Sequence, residues 1–195
     1  SALIAATLTT GVPRFVYMSA LGAREDHPID FFRSRIEIEE GLRSSHIPYT
    51  ILRPAALMEQ HVHQLLGKLL LDRGFTVIVG DGRKRRNFVS VHDVVPFAVT
   101  ALRDDTLANR TLDIGGPDNI SNRDVAAMYA LRSHQGRTFH LPAAVARVAA
   151  QTLRPFHEGV ARVLDAAAVQ DEDWDETFDP RALLEQNGSA GEHAA

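Results

Sequence analysis

Residues 11–53 read GVPRFVYMSALGAREDHPIDFFRSRIEIEEGLRSSHIPYTILR, and this stretch decides the fold. Phe15 to Ser19 (FVYMS) is a short apolar run rich in strand formers, so a buried strand is expected there. Gly22 to Pro28 reads as a loop. Ile29 to Ser44 has helical spacing, with Phe31, Arg35, Ile38 and Leu42 on one face. Tyr49 to Arg53 (YTILR) is a second strand, stopped by Pro54. A strand, a helix and a strand in this order imply a right-handed crossover and a parallel pair.

The pattern extends in both directions. Upstream, Ser1 to Thr10 is an alanine-rich helical segment, ended by Gly11 and then Pro13. Downstream, Leu57 to Asp72 reads as a helix closed by Gly74, and Thr76 to Val79 as a third strand. Asn87 to Val91 is a further strand leading into a helix from Asp93 to Leu102, and Thr111 to Ile114 a strand before Gly115-Gly116-Pro117. Ser121 opens another helix, with Asp124 placed for a capping box. The whole is an α/β fold with a mostly parallel sheet. After Pro142 the pattern changes to two helices, Ala143 to Leu153 and Glu158 to Ala168, then an acidic stretch with a tryptophan, Asp171 to Glu176. The small polar tail from Gln186 is expected to be disordered.

The 195 residues, 45% hydrophobic, suffice for one core. With 24% charged residues and a formal net charge of −4, nucleic acid is not an expected partner. The chain has no cysteine, which excludes disulfides, thiol nucleophiles and cysteine metal sites. No apolar run is long enough to cross a bilayer and the opening residues lack a secretory pattern, so no membrane association and a cytoplasmic location are expected.

Four segments in order carry a family resemblance: GVPRFVYMSALGA (Gly11 to Ala23), FFRSRIEIEEGLRSSHIPYTILRPAALME (Phe31 to Glu59), GDGRKRRNFVSVHDVVPFAVTAL (Gly80 to Leu102) and LDIGGPDNISNRDVAAMY (Leu112 to Tyr129). Together they resemble the NmrA-like atypical short-chain dehydrogenases, which are NAD(P)H-binding and nucleoside-diphosphate-sugar epimerase-like proteins. The later run LRPFHEGVARVLD resembles the C-terminal helices of bacterial members. The resemblance implies an incomplete Rossmann-type sheet with a helical C-terminal lobe. The family's N-terminal strands and glycine-rich phosphate-binding turn have no counterpart before Phe15. Residues 1–141 are then the C-terminal portion of a dinucleotide-binding domain, 142–185 the helical lobe and 186–195 the tail.

The same resemblance implies NAD or NADP as cofactor and a small-molecule substrate. In active relatives a serine ends the fifth strand, and a tyrosine acid and a lysine lie four residues apart on the next helix. Here Ser19 matches the serine, Phe31 stands at the tyrosine position and Arg35 at the lysine position. Phenylalanine has no proton to give, and arginine is a different donor from lysine. Ser19 and Arg35 are therefore the catalytic candidates, and Ser19, Ala20, Arg35, Pro54, Ala55 and Ala56 the cofactor-binding candidates. Two functions stay open: a truncated oxidoreductase or epimerase-like protein, and a non-catalytic dinucleotide-sensing module.

For several of these residues a plainer role competes. Ser19 either caps a turn or contacts ligand. Phe31 is expected in the core. Arg35 either pairs with Glu39 one turn on or faces the cleft. Gly80-Asp81-Gly82-Arg83-Lys84-Arg85 imitates a phosphate loop but leads into a strand, so it reads as a turn, and Arg83 to Arg86 as a solvated basic loop. His61 and His63 point in different directions along a helix, and no metal site is expected. Ser90, His92 and Asp93 lack a nucleophile elbow, and Asp93 reads as a helix N-terminal acid. A free FVYMS edge predicts self-association, or a need for a complementing N-terminal segment.

Overall fold

A computed structural model describes residues 2–133, 136–171 and 176–181. In chain order the elements are α1 (Ala2–Thr10), β1 (Phe15–Met18), α2 (Asp30–Arg43), β2 (Tyr49–Pro54), β3 (Ala56–Leu57), a π-helix (Met58–Gly67), α3 (Lys68–Arg73), β4 (Phe75–Val79) and β5 (Arg85–Val89). They continue with α4 (Val91–Arg103), a short 3-10 turn (Asp105–Leu107), β6 (Arg110–Ile114), β7 (Asn119–Ser121), α5 (Asn122–Ser133), β8 (Arg137–Leu141), α6 (Ala143–Leu153) and α7 (Glu158–Asp171). The chain divides into two compact units. One holds the residues up to Ala56, Asn87–Asp118 and those from Thr177 on; the other holds Leu57–Arg86 and Asn119–Glu176. The domain boundary expected at 141/142 lies inside the second unit. The tail from Gln186, and most of the acidic stretch, fall outside the described residues.

The first unit is built on a parallel sheet in the order β1-β2-β6. Tyr17 lies opposite Ile51, Leu52 opposite Met18 and Leu112, and Arg53 opposite Asp113. The central strand β2 is the most buried, with Ile51 and Leu52 inaccessible to solvent. On one side, α1 and α2 close over it: Ile4, Leu42, Ile47 and Ile51 form a core, with Phe15, Tyr17, Ile38 and Tyr49 packed against it. Gly11 ends α1 with φ +65°, a left-handed conformation that glycine adopts without strain. Arg14 then caps the C-terminus of α4 by donating to the carbonyls of Ala101 (2.9 Å) and Asp104 (2.8 Å), and it pairs with Asp105.

Two expectations need correction here. The strand Phe15–Met18 is not buried: it stands at the end of the sheet, and no residue in it is fully covered. Phe31 is not core either, being 45% exposed near the start of α2. The apolar stripe of that helix buries Leu42 but turns away from the core toward its N-terminus.

The second unit pairs β4 with β8 in parallel, Phe75 opposite Arg137 and Val79 opposite Leu141. Strand β8 (RTFHL) was not anticipated; four of its five residues are exposed, so its hydrophobic signal is weak. The segment expected as one α-helix from Leu57 to Asp72 is a π-helix to Gly67 and α-helical only from Lys68. At Gly67, where the π-helix ends, a side chain would meet the Tyr129 ring at 2.3 Å, so the helix and α5 approach closely there. At the start of α5, the Asp124 amide donates to Ser121 Oγ and the Ser121 amide to Asp124 Oδ2, both at 3.1 Å, which is the capping box read from sequence. The two helices after Pro142 form as expected, with α7 running three residues further.

Candidate functional site

Ligands of open parallel sheets sit beyond the carboxyl ends of the strands, where the helices that follow begin. In the first unit these ends are held in register past the strands themselves. The Ser19 amide donates to Leu52 O (2.7 Å), the Leu21 amide to Pro54 O (2.8 Å) and the Ala55 amide to Ile114 O (2.8 Å). Small residues line up at this rim: Ser19, Ala20 and Ala55 are all buried, as is Pro54, and Ala56 is half-buried.

Directly under the rim lies a buried carboxylate. The Glu39 side chain is fully enclosed by the fold. Ser19 Oγ donates to its Oε1 at 2.5 Å, Arg53 grips both oxygens through Nε (2.8 Å) and Nη2 (2.6 Å), and Arg43 Nη2 adds a fourth bond at 2.7 Å. Burial would raise this carboxyl, but the hydrogen bonds from Arg53, Ser19 and Arg43 outweigh it and hold the group below its ordinary value. The same contact pushes Arg53 up. Asp113, beside Arg53 on the neighbouring strand, is raised by burial, with the Arg53 charge only partly opposing. Its Oδ1 is buried and, among the described residues, has no hydrogen-bond partner.

Arg35 lies apart from this cluster. It does not pair with Glu39, as the helical spacing had suggested, because Glu39 is already saturated by donors from β2 and from Arg43. Arg35 Nη1 instead donates to the Tyr17 hydroxyl and to the Met18 carbonyl, each at 3.2 Å, and its guanidinium lies 4.7 Å from the centre of the Phe31 ring. The candidates thus fall into two groups. Ser19 joins Glu39, Arg53 and Arg43, while Arg35 joins Tyr17 and Phe31 at the open edge of β1. Glu39, Arg43, Asp113 and Tyr17 were not singled out as site residues from the sequence. One signal was present: Glu39 falls among the apolar positions of α2, one turn before Arg43, where a charge demands a partner.

In the second unit, Gly80 (φ +75°) and Gly82 (φ +66°) form the tight turn expected of the false phosphate loop. The solvated-loop reading fails for Arg86, whose side chain is 7% exposed and donates to Gln170 Oε1 at 2.6 Å beside Glu176 (3.4 Å). His63 Nδ1 lies 3.4 Å from the Tyr129 hydroxyl, whereas His61 is lowered by burial and by the Arg86 charge, so the two rings serve different neighbours. In the first unit, Ser90 is the N-cap of α4, its Oγ accepting from the His92 amide at 3.2 Å, and Asp93 lies in the first turn.

The rim of the first unit fits the flat end of a dinucleotide: its side chains are small, its backbone is fixed and a cation stands at its edge. It does not fit the phosphates, because among the described residues no glycine turn opens a helix at a strand end. At β6, moreover, Gly115 is covered by the Phe178 ring, 2.2 Å from where a Cβ would stand. No helix among the described residues is long and apolar enough to cross a membrane. Parallel βαβ order with small residues at the strand ends is a Rossmann-like arrangement.

A family profile described as NAD(P)H-binding matches residues 1–105, and the chain belongs to that family. Among curated proteins it is 29% identical over 144 residues to the mitochondrial NADH dehydrogenase [ubiquinone] 1 alpha subcomplex subunit 9 of Arabidopsis thaliana, covering 72% of this chain and 36% of that protein. It is 28% identical over 138 residues to the NAD(P)H azoreductase of Xenophilus azovorans, covering 70% and 46%. The chain therefore spans less than half the length of these two relatives. Among solved structures, the NADPH-dependent quinone oxidoreductase QOR2 of Escherichia coli, complexed with NADPH, superposes with a TM-score of 0.71 at 22% identity, covering 95% of this chain and 64% of that one. A nucleoside-diphosphate-sugar epimerase from Staphylococcus aureus gives 0.67 at 18%, covering 89% and 61%. These likenesses establish the fold.

Proposed function

We propose that this chain is the strand-end portion of an NAD(P)(H)-dependent oxidoreductase of the atypical short-chain type, acting on a small molecule in the cytoplasm. The observation that carries this is the placement of Arg35, held by Tyr17 and Met18 at the carboxyl end of an open edge strand. In this reading Arg35, Ser19, Ala20, Pro54, Ala55 and Ala56 surround the nicotinamide end of the cofactor, whether NAD or NADP. Arg35 orients the ligand, and the buried Glu39 cluster keeps Ser19 and Arg53 in place. The nicotinamide supplies hydride chemistry when bound.

The free edge of β1, with Met18 39% exposed, calls for a further strand. The chain is therefore expected to self-associate, or to need a complementing segment that brings a glycine-rich turn. Light scattering combined with NADH and NADPH titration tests this: a stable monomer that binds either at micromolar concentration unaided would refute it. Arg35→Ala should weaken dinucleotide binding in the complemented protein while leaving the melting temperature nearly unchanged. A second reading, a non-catalytic dinucleotide sensor, is favoured by Phe31 at the position of the tyrosine acid. It predicts binding without turnover over a panel of small carbonyls.

A further inference from the structure

We infer that Arg35 guards the free edge of β1: by holding the Met18 carbonyl it opposes antiparallel pairing of that strand with the β1 of a second copy of the chain. The inference rests on the reading that this edge takes a further strand, and it adds what limits the pairing.

The direction of the backbone groups is the central point. Along a strand, successive residues point their amide and carbonyl to opposite sides. The Phe15 amide donates to Pro48 O (2.9 Å) and the Ser19 amide to Leu52 O (2.7 Å), both toward β2. Tyr17, midway between them, faces β2 as well, so the amides and carbonyls of Val16 and Met18 face the other side. Among the described strands none pairs there, since β1 ends the sheet. What reaches that side is Arg35, whose Nη1 donates to the Met18 carbonyl and to the Tyr17 hydroxyl, each at 3.2 Å. A guanidinium has donors and no acceptor, so it occupies this carbonyl and offers an incoming strand nothing in its place. The cation is itself clamped between two aromatic rings, 4.7 Å from the centre of Phe31 and 5.9 Å from that of Tyr17. Phe31 therefore has a part to play despite its missing hydroxyl: it keeps the guanidinium over the edge.

The free groups of β1 are complementary to themselves. A two-fold axis through Tyr17 sets Val16 opposite Met18 of the second copy, and each such pair exchanges amide-to-carbonyl bonds in both directions. Half of those bonds end on a Met18 carbonyl, which Arg35 already holds. The Tyr17 residues meet across the same axis, each with an Arg35 on its hydroxyl, so two like charges are brought together. Pairing therefore requires Arg35 to leave. The strand itself, FVYM, carries neither a charge nor a proline to protect its edge, and helix α2 supplies the charge instead.

The test follows mass against concentration for the full chain by sedimentation velocity. Arg35→Ala should associate at a concentration at least about tenfold lower than the parent, because a charged hydrogen bond on each copy no longer has to be broken. Val16→Pro removes an amide on the free edge and none of the bonds to β2, so adding it to Arg35→Ala should bring the mass back to that of the parent. Equal masses for the parent and Arg35→Ala, or a gain that Val16→Pro leaves in place, overturn the inference. If Arg35→Ala melts far below the parent, Arg35→Met keeps the stem against Phe31 without a donor and is read in the same way. If Val16→Pro does so, Met18→Lys disrupts the same edge. Val16→Pro in the parent background keeps the two claims separate. A fall in mass there, with no gain from Arg35→Ala, sinks the guard alone. No fall there, with a gain from Arg35→Ala that Val16→Pro removes, sinks self-association of the parent alone.

Discussion

Replacing Glu39 by glutamine should cost about 3 kcal/mol of stability. The side chain is fully enclosed and receives four hydrogen bonds from Ser19, Arg53 and Arg43, at 2.5–2.8 Å. Removing one partner of a buried ion pair typically costs about 3–5 kcal/mol, because the remaining charge stays desolvated. The Arg53 and Arg43 side chains are 21% and 36% exposed, so both recover some hydration, which favours the lower end. For a chain of 195 residues that corresponds to a fall of roughly 6–12 °C in melting temperature. Circular-dichroism melts and urea titration at neutral pH would measure it. Arg43→Gln is the internal control: it removes the i,i+4 bond and a longer one to Thr111 Oγ1 (3.3 Å) from a half-exposed donor and should cost about 1 kcal/mol or less. The pH dependence carries a sign. The Glu39 carboxyl is lowered in the fold, so its contribution is complete above the ordinary glutamate range and is lost as pH falls through the folded value. A Glu39→Gln melt within 2 °C of the parent, or an equal loss in Arg43→Gln, would refute the hub.

Three further outcomes follow from particular contacts. His27, only 1% exposed and stacked on Phe32 at 4.0 Å, is lowered to about 4 by burial and by the charges of Arg24 and Arg33. Its stabilising contribution is full above about pH 6.5 and is lost as pH falls toward 4, by at most about 3 kcal/mol; His27→Phe should flatten that part of the stability–pH curve, and an unchanged slope would contradict the assignment. Gly116→Ala should cost more than about 2 kcal/mol, read as melting temperature and soluble yield, because a Cβ would stand 2.1 Å from the Phe88 carbonyl oxygen and backbone cannot yield as a side chain can. Met18→Lys places a charge on the free strand edge and should lower the mass seen by light scattering without lowering the melt; an unchanged mass would locate self-association elsewhere.

Much of the fold was legible in the chain because its signals are local. The runs FVYMS and YTILR, the 3.6 spacing of α2, Gly11 after α1 and the Ser121–Asp124 box each depend on residues within a few positions of one another, and the structure bears them out as elements. Strand β8 is not legible because its exposed, mixed residues carry no periodic signal, and the spacing of apolar residues over 57–72 does not separate a π-helix from an α-helix.

The chemistry divides in the same way. The sequence alone determined that α2 lacks a tyrosine at position 31, that a cation stands four residues on, and that no cysteine chemistry exists. It could not determine what those side chains touch. Helical spacing offered Glu39 to Arg35, yet packing gave Glu39 to Arg53 from a strand fourteen residues later and gave Arg35 to Tyr17 from the strand before. The physical reason is that a buried carboxylate is stabilised most by the donors that enclose it from several elements at once, whereas an i,i+4 partner on its own helix reaches it from one side only.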